Sequence, residues 1–137
     1  MRILIVEDDE LGLRFLLSLL EKHGECSSAS NGKEAVRAYC QAVEESKPFD
    51  VIFMDIMMPE MNGLEALERI REFEVYNKHR IPRGAIAVMA TATSNPQDVV
   101  RANCCCSAFA YLVKPLKVED VEAVLARIRQ EKASQPD

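Results

Sequence analysis

Short apolar runs alternate with amphipathic stretches along the chain. Residues 3–6, Ile-Leu-Ile-Val, are rich in β-branched side chains and stop at three acids, which predicts a buried strand. Residues 10–22 then place Leu11, Phe15, Leu16, Leu19 and Leu20 on one helical face, and His23-Gly24 reads as the helix stop. Residues 26–30 make a weak, polar strand suited to a sheet edge. Asn31, with Glu34 three residues on, has the form of a capping box and opens a second helix. Residues 51–54 predict the next buried strand. Asn62 and Glu65 repeat the cap, and Leu64, Leu67 and Ile70 give the third helix its apolar stripe. A polar connection over 73–84 leads to a fourth strand at 85–90. Asn95, with Pro96 at the first helical position, opens a fourth helix. Residues 110–113 predict a fifth strand, and Val118, Val121, Leu125 and Ile128 mark a fifth helix.

Five strands alternating with five helices predict an α/β fold. Parallel strands joined by right-handed helical crossovers form a doubly wound sheet with helices on both faces. Such sheets hold ligands at the carboxyl ends of their strands.

The residues that follow each strand therefore matter most. The first strand runs into Glu7-Asp8-Asp9, the third into Asp55, the fourth into Thr91, and the fifth into Lys114-Pro115. Carboxylates, a hydroxyl and an ammonium at one sheet edge suit a metal-assisted phosphoryl site. Mg²⁺ takes hard oxygen ligands and keeps some waters, so two or three carboxylates suffice. An aspartate can hold a phosphoryl group as an acyl phosphate, and a hydroxyl and a lysine can each bind a phosphoryl oxygen. Taken singly, each group has a plainer role: the acids cap a helix, Asp55 sits in a turn, Thr91 satisfies backbone, and Lys-Pro forms a strand-to-helix turn. Their joint occurrence at successive strand ends favours the site.

Composition narrows the classes. The chain has 137 residues, enough for one domain, with 48% hydrophobic and 28% charged residues. Its net charge of −5 argues against a general nucleic-acid surface, and no direct nucleic-acid partner is expected. The apolar runs are strand-sized and no signal-peptide pattern opens the chain, so a cytoplasmic protein without membrane association is expected. Of five cysteines, Cys104-Cys105-Cys106 are consecutive. Reduced apolar filler is the preferred reading over a redox or metal site, because adjacent helical cysteines point apart and no His lies near. Met57, Met58 and Met61 read as packing residues beside hard-cation ligands, and His23 and His79 as surface residues.

In Ile3-Leu4-Ile5-Val6-Glu7-Asp8-Asp9, the run from Asp55 to Gly63 (Asp-Ile-Met-Met-Pro-Glu-Met-Asn-Gly), Thr91-Ala92 and Tyr111-Leu112-Val113-Lys114-Pro115, the sequence closely resembles the receiver domain of two-component response regulators. The resemblance runs from Arg2 to about Arg129, and it implies a flavodoxin-like arrangement with strand order 2-1-3-4-5 and five helices in three layers. It implies that Asp55 is the phosphoacceptor for a histidine kinase or histidine phosphotransfer domain. It implies Mg²⁺, with Mn²⁺ as an alternative, held by Asp8 and Asp55 directly, by Glu7 through water, and by the Met57 carbonyl. Thr91 and Lys114 would bind the phosphoryl group. Thr91 and Tyr111 would form a switch pair that alters the face of the fourth helix, fifth strand and fifth helix. Pro115 would follow Lys114, often through a cis bond, and Asp9 would cap the first helix. The positions of Met57 and Thr93 would tune autodephosphorylation.

Two features depart from the family pattern. Ser107 stands where the family carries glycine before the fifth strand, and a left-handed backbone there costs more for serine. Lys117 stands near the place where Ser or Thr commonly opens the last helix. The chain is expected to comprise a receiver domain at 1–132 and a polar tail at 133–137. It would act either alone, through an unknown downstream protein, or as a piece of a longer protein. The activity is a phosphoacceptor's rather than a conventional enzyme's. The competing readings are an aspartate-nucleophile phosphohydrolase, an interaction-only receiver, and a flavin-binding protein of similar topology. Met57 occupies the phosphohydrolase's general-acid position, the full residue set opposes the second, and three acids would repel a flavin's phosphate.

Overall fold

The computed structural model describes residues 1–58, 61–92 and 107–134. Five strands, β1 (Arg2–Val6), β2 (Glu25–Ala29), β3 (Val51–Asp55), β4 (Ile86–Thr91) and β5 (Ala110–Val113), form one parallel sheet in the order β2-β1-β3-β4-β5. The predicted topology is thus the observed one. Four helices are described: α1 (Glu10–Leu20), α2 (Gly32–Glu44), α3 (Gly63–Tyr76) and α4 (Val118–Ser134). The last is the helix expected fifth. The helix expected at Asn95-Pro96 and the triplet Cys104-Cys105-Cys106 lie outside the described residues.

Strand alternation sorts the core into two layers. Leu4, Val6, Ile52, Met54, Ala87 and Met89 face α2 and α3. Ile3, Ile5, Val51, Phe53 and Val88 face α1 and α4. Both sides of β1, β3 and β4 are buried, so these strands read as continuous apolar runs. β2, on the edge, carries Glu25, Ser27 and Ser28 and stays largely open to solvent.

Caps form where the sequence placed them. Asp9, Asn31 and Asn62 accept from the N–H of Gly12, Glu34 and Glu65. The second cap differs from a full capping box: the Glu34 carboxylate accepts from the N–H and hydroxyl of Ser30, not from Asn31. Leu11 and Val118, both in the first turns of their helices, also depart from their apolar stripes, being 75% and 46% exposed. The polar connection expected from residue 73 starts later, since α3 continues to Tyr76. Phe73 continues the α3 stripe by packing on the core and edge-on to Tyr39, and Glu74 is buried.

Candidate functional site

The site is a consequence of register. β1 pairs Val6 with Met54, so the next step sets Glu7 beside Asp55 on the face that carries Ile5 and Phe53. β3 pairs Asp55 with Ala90, and β4 pairs Ala90 with Leu112. Lys114 lies two residues past Leu112 and so faces the same way. Ala90, which stands between Asp55 and Leu112 in the register, has only a methyl group, and it lines one small cavity with Asp55 and Lys114.

The result is a compact charge cluster. Lys114 Nζ donates to Glu7 Oε1 at 2.7 Å and lies 3.1 Å from Asp55 Oδ2. The Met57 N–H approaches Asp55 Oδ1 at 3.3 Å. Glu7, Asp8 and Asp55 each bring a carboxylate oxygen within 4.8 Å of the others. Glu7 and Asp55 are buried, whereas Asp8 is exposed. Burial, reinforced by the Asp55 carboxylate and opposed by Lys114, pushes Glu7 up from 4.5 to about 7. Burial alone would lower Lys114, but its contacts with Glu7 and Asp55 outweigh it, and the ammonium is raised.

Thr91 is fully buried at the end of β4, one residue past the partner of Asp55. Tyr111 pairs with Met89, which sets Thr91 and Tyr111 on one face as diagonal neighbours. The tyrosine is half-buried and packs against the α2/α3 side of the core. The Lys114–Pro115 bond is cis. Met57 is 63% exposed, so packing does not explain its side chain, while Met58 is half-buried and Met61 is buried. Thr93 lies outside the described residues.

Two glycines shape the site without any chemical signature of their own. A Cβ at Gly63 would stand 2.3 Å from the Asp55 carbonyl oxygen, and one at Gly12 would stand 2.4 Å from Glu7 Oε1. The glycine closing the Asp55 motif thus lets α3 start against the strand end. Remote from the site, the buried Glu74 carboxylate accepts from Tyr39 at 2.5 Å, the Ala85 N–H at 2.8 Å and Arg71 at 2.8 Å. Its signal was an acid at the turn after Ile70, on the buried side of α3. His23, expected on the surface, is packed beside Arg129 and lies 3.7 Å from Glu122, with its side chain 14% exposed. His79 is exposed. Cys26 and Cys40 are free thiols raised by burial, as apolar filler would be.

Residues 3–126 match the family model for the response regulator receiver domain. The chain belongs to that family. It is 33% identical over 130 residues to the regulatory protein AtoC of Escherichia coli (strain K12), covering 94% of this chain and 25% of that protein. The chain spans a quarter or less of the curated relatives it matches. Among solved structures, the N-terminal domain of an uncharacterized protein from Wolinella succinogenes superposes with a TM-score of 0.80 at 27% identity, over 99% of each chain. The receiver domain of the Saccharomyces cerevisiae response regulator Ssk1, crystallised with the histidine phosphotransfer signaling protein Ypd1, gives a TM-score of 0.74 at 32% identity. That match covers 93% of this chain and 86% of the other. The receiver domain described here is accordingly a two-component signalling module. No helix among its described residues is long and apolar enough to cross a membrane.

Proposed function

We propose that Asp55 of this receiver domain accepts a phosphoryl group, with Mg²⁺ bound, from the phosphohistidine of a histidine kinase or a histidine phosphotransfer domain. The observation that carries this reading is the Lys114 ammonium, whose Nζ lies 2.7 Å from Glu7 and 3.1 Å from Asp55. Among the described residues, three carboxylates share that site with one cation, which leaves a negative excess at a sheet edge built for ligands.

The donor set fits a hard divalent cation. All the side-chain donors are carboxylate oxygens, and Glu7 Oε2 is buried with no hydrogen-bond partner among the described residues. Glu7, Asp8, Asp55 and the Met57 carbonyl would hold the ion, Mg²⁺ or Mn²⁺. When bound, it offsets the carboxylate charge and that of the incoming phosphoryl oxygens.

An Asp55 carboxylate oxygen attacks phosphorus. The new P–O bond forms as the P–N bond to the donor imidazole breaks, and the leaving nitrogen keeps the electron pair and takes a proton from solvent. Lys114 turns from the free carboxylate to a phosphoryl oxygen, and the Thr91 hydroxyl donates to another. Drawing Thr91 toward the phosphoryl group alters the packing next to Tyr111, its diagonal neighbour. That local charge event would bias a two-state face read by a downstream protein. The domain would comprise 1–132 with a tail at 133–137, in the cytoplasm, without direct nucleic-acid or membrane binding.

The test is intact-protein mass after incubation with Mg²⁺ and acetyl phosphate, for wild type and Asp55→Asn. A Mg²⁺-dependent gain of one phosphoryl mass, absent in the variant, is the expected result. Failure with acetyl phosphate and then with a phosphohistidine donor would leave the interaction-only reading in its place.

A further inference from the structure

At the amino-terminal edge of the sheet, opposite Asp55, we infer a docking surface for an acidic protein segment that carries an apolar side chain. The surface is built by the end of α3 and the connection to β4. Strands of five residues separate it from the phosphoryl site by roughly 17 Å.

Its cations are in local excess. Lys78, Arg80 and Arg83 are exposed, and none has an ion-pair partner among the described residues. The acids around them are committed or few. Glu74 is buried and taken by Tyr39, Arg71 and the Ala85 N–H. Asp50 accepts from the Arg2 N–H at 2.7 Å and from Lys132 at 3.1 Å. Glu72 is the one other acid from residue 71 to residue 84. In a chain of net charge −5 this is a cationic exception, and it is complementary to an acidic segment.

Shape and polarity fit the same occupant. Val75 and Tyr76 are 63% and 77% exposed at the end of α3, and Val75 lines a groove together with Lys78. That groove, of about 300 Å³, also passes Pro82, and a second of about 400 Å³ passes Phe49, Arg83 and Lys132. The two meet at Gly84. An exposed tyrosine two residues before Lys78 in the chain suits a protein interface, where aromatic anchors sit within a polar rim. A nucleic acid would meet too few cations here and the repulsion of an acidic protein.

The experiment titrates the isotope-labelled full chain with a peptide alternating glutamate with leucine and phenylalanine, followed by amide shifts. Its glutamine-for-glutamate twin, tRNA and phosphatidylserine vesicles serve as comparisons. The expected result is saturable shifts over 75–84 with the acidic peptide alone. Lys78→Glu combined with Arg83→Glu should weaken binding by about tenfold or more, and Tyr76→Ala should weaken it further. Mg²⁺-dependent uptake from acetyl phosphate should stay unchanged, so this surface and the Asp55 chemistry fail independently. No shifts over 75–84, an equal response to the neutral twin, or stronger binding of tRNA or vesicles would overturn the inference.

Discussion

Lys114 Nζ and Glu7 Oε1 meet at 2.7 Å across 107 residues of chain. The contact closes the site, because β1 and β5 are separated in the sheet by β3 and β4. Lys114 also lies 3.1 Å from Asp55, so removing it strips two buried carboxylates of their shared cation. Lys114→Met should slow phosphoryl uptake from acetyl phosphate on the order of a hundredfold, the usual loss when one transition-state donor is removed. Time-resolved intact mass measures it. Uptake at the wild-type rate would place Lys114 outside the chemistry.

Glu7 gives a pH signature. Burial, then the Asp55 carboxylate, raises it from 4.5 to about 7, so the folded state holds a proton that the unfolded chain releases. Its contribution to stability is complete below 4.5, declines as pH rises, and is lost above about 7. Metal-free protein should therefore lose on the order of 3 kcal/mol across that window, read as a falling Tm. Mg²⁺ needs the ionised carboxylates and should raise Tm most at the alkaline end. Glu7→Gln should flatten both trends. A wild-type Tm that tracks the variant at every pH would refute the assignment.

Local rules carried the sheet and most of the site into the sequence. β-branched runs of strand length, Asx caps and strand-end acids each depend on neighbours a few residues apart, and Glu7, Asp55 and Lys114 follow from parity on parallel strands. What escaped depends on distant chain. Glu74 lies in a stretch that reads as polar, and its burial rests on Tyr39 of α2 and the Ala85 amide as well as on nearby Arg71. Leu11 satisfies a helical period, yet it stands in the first turn of α1 and is 75% exposed, while Leu16, Leu19 and Leu20 further along are buried. Ala90 carries no chemical signal, and its smallness matters only because it lies between β3 and β5 beside Asp55 and Lys114.

Ser107 adopts φ 53°, the left-handed backbone anticipated where the family carries glycine. Its carbonyl accepts from Arg71 at 3.1 Å, which ties the turn before β5 to α3. A non-glycine residue in this region costs about 1–2 kcal/mol, while glycine costs about 0.5–1 kcal/mol in chain entropy. Ser107→Gly should thus stabilise the fold by about 0.5–1 kcal/mol, seen as a higher urea midpoint at unchanged slope. A lower midpoint would show that the serine side chain contributes more than its backbone strain costs.

Gly63 and Gly12 both press on the site, but what they press against differs. A Cβ at 63 would meet the Asp55 carbonyl oxygen at 2.3 Å and Ile56 Cα at 3.0 Å. Those are backbone atoms of β3 and its exit, and the Gly63 N–H already donates to the Ile56 carbonyl at 2.9 Å. Nothing there can rotate away, so Gly63→Ala should cost about 2–3 kcal/mol and lower Tm before any effect on metal binding is read. A Cβ at 12 would meet Glu7 Oε1 at 2.4 Å, the end of a rotatable side chain. Gly12 lies inside α1, where alanine gains about 1 kcal/mol of helix propensity. Gly12→Ala should therefore keep the wild-type Tm while turning the Glu7 carboxylate away from Lys114. Mg²⁺ affinity should then fall by about tenfold, the scale seen when a group that orients a metal ligand is disturbed. Calorimetric titration of both variants with Mg²⁺ separates the cases. If Gly12→Ala bound Mg²⁺ like wild type, the position of Glu7 beside Lys114 would not govern the metal site.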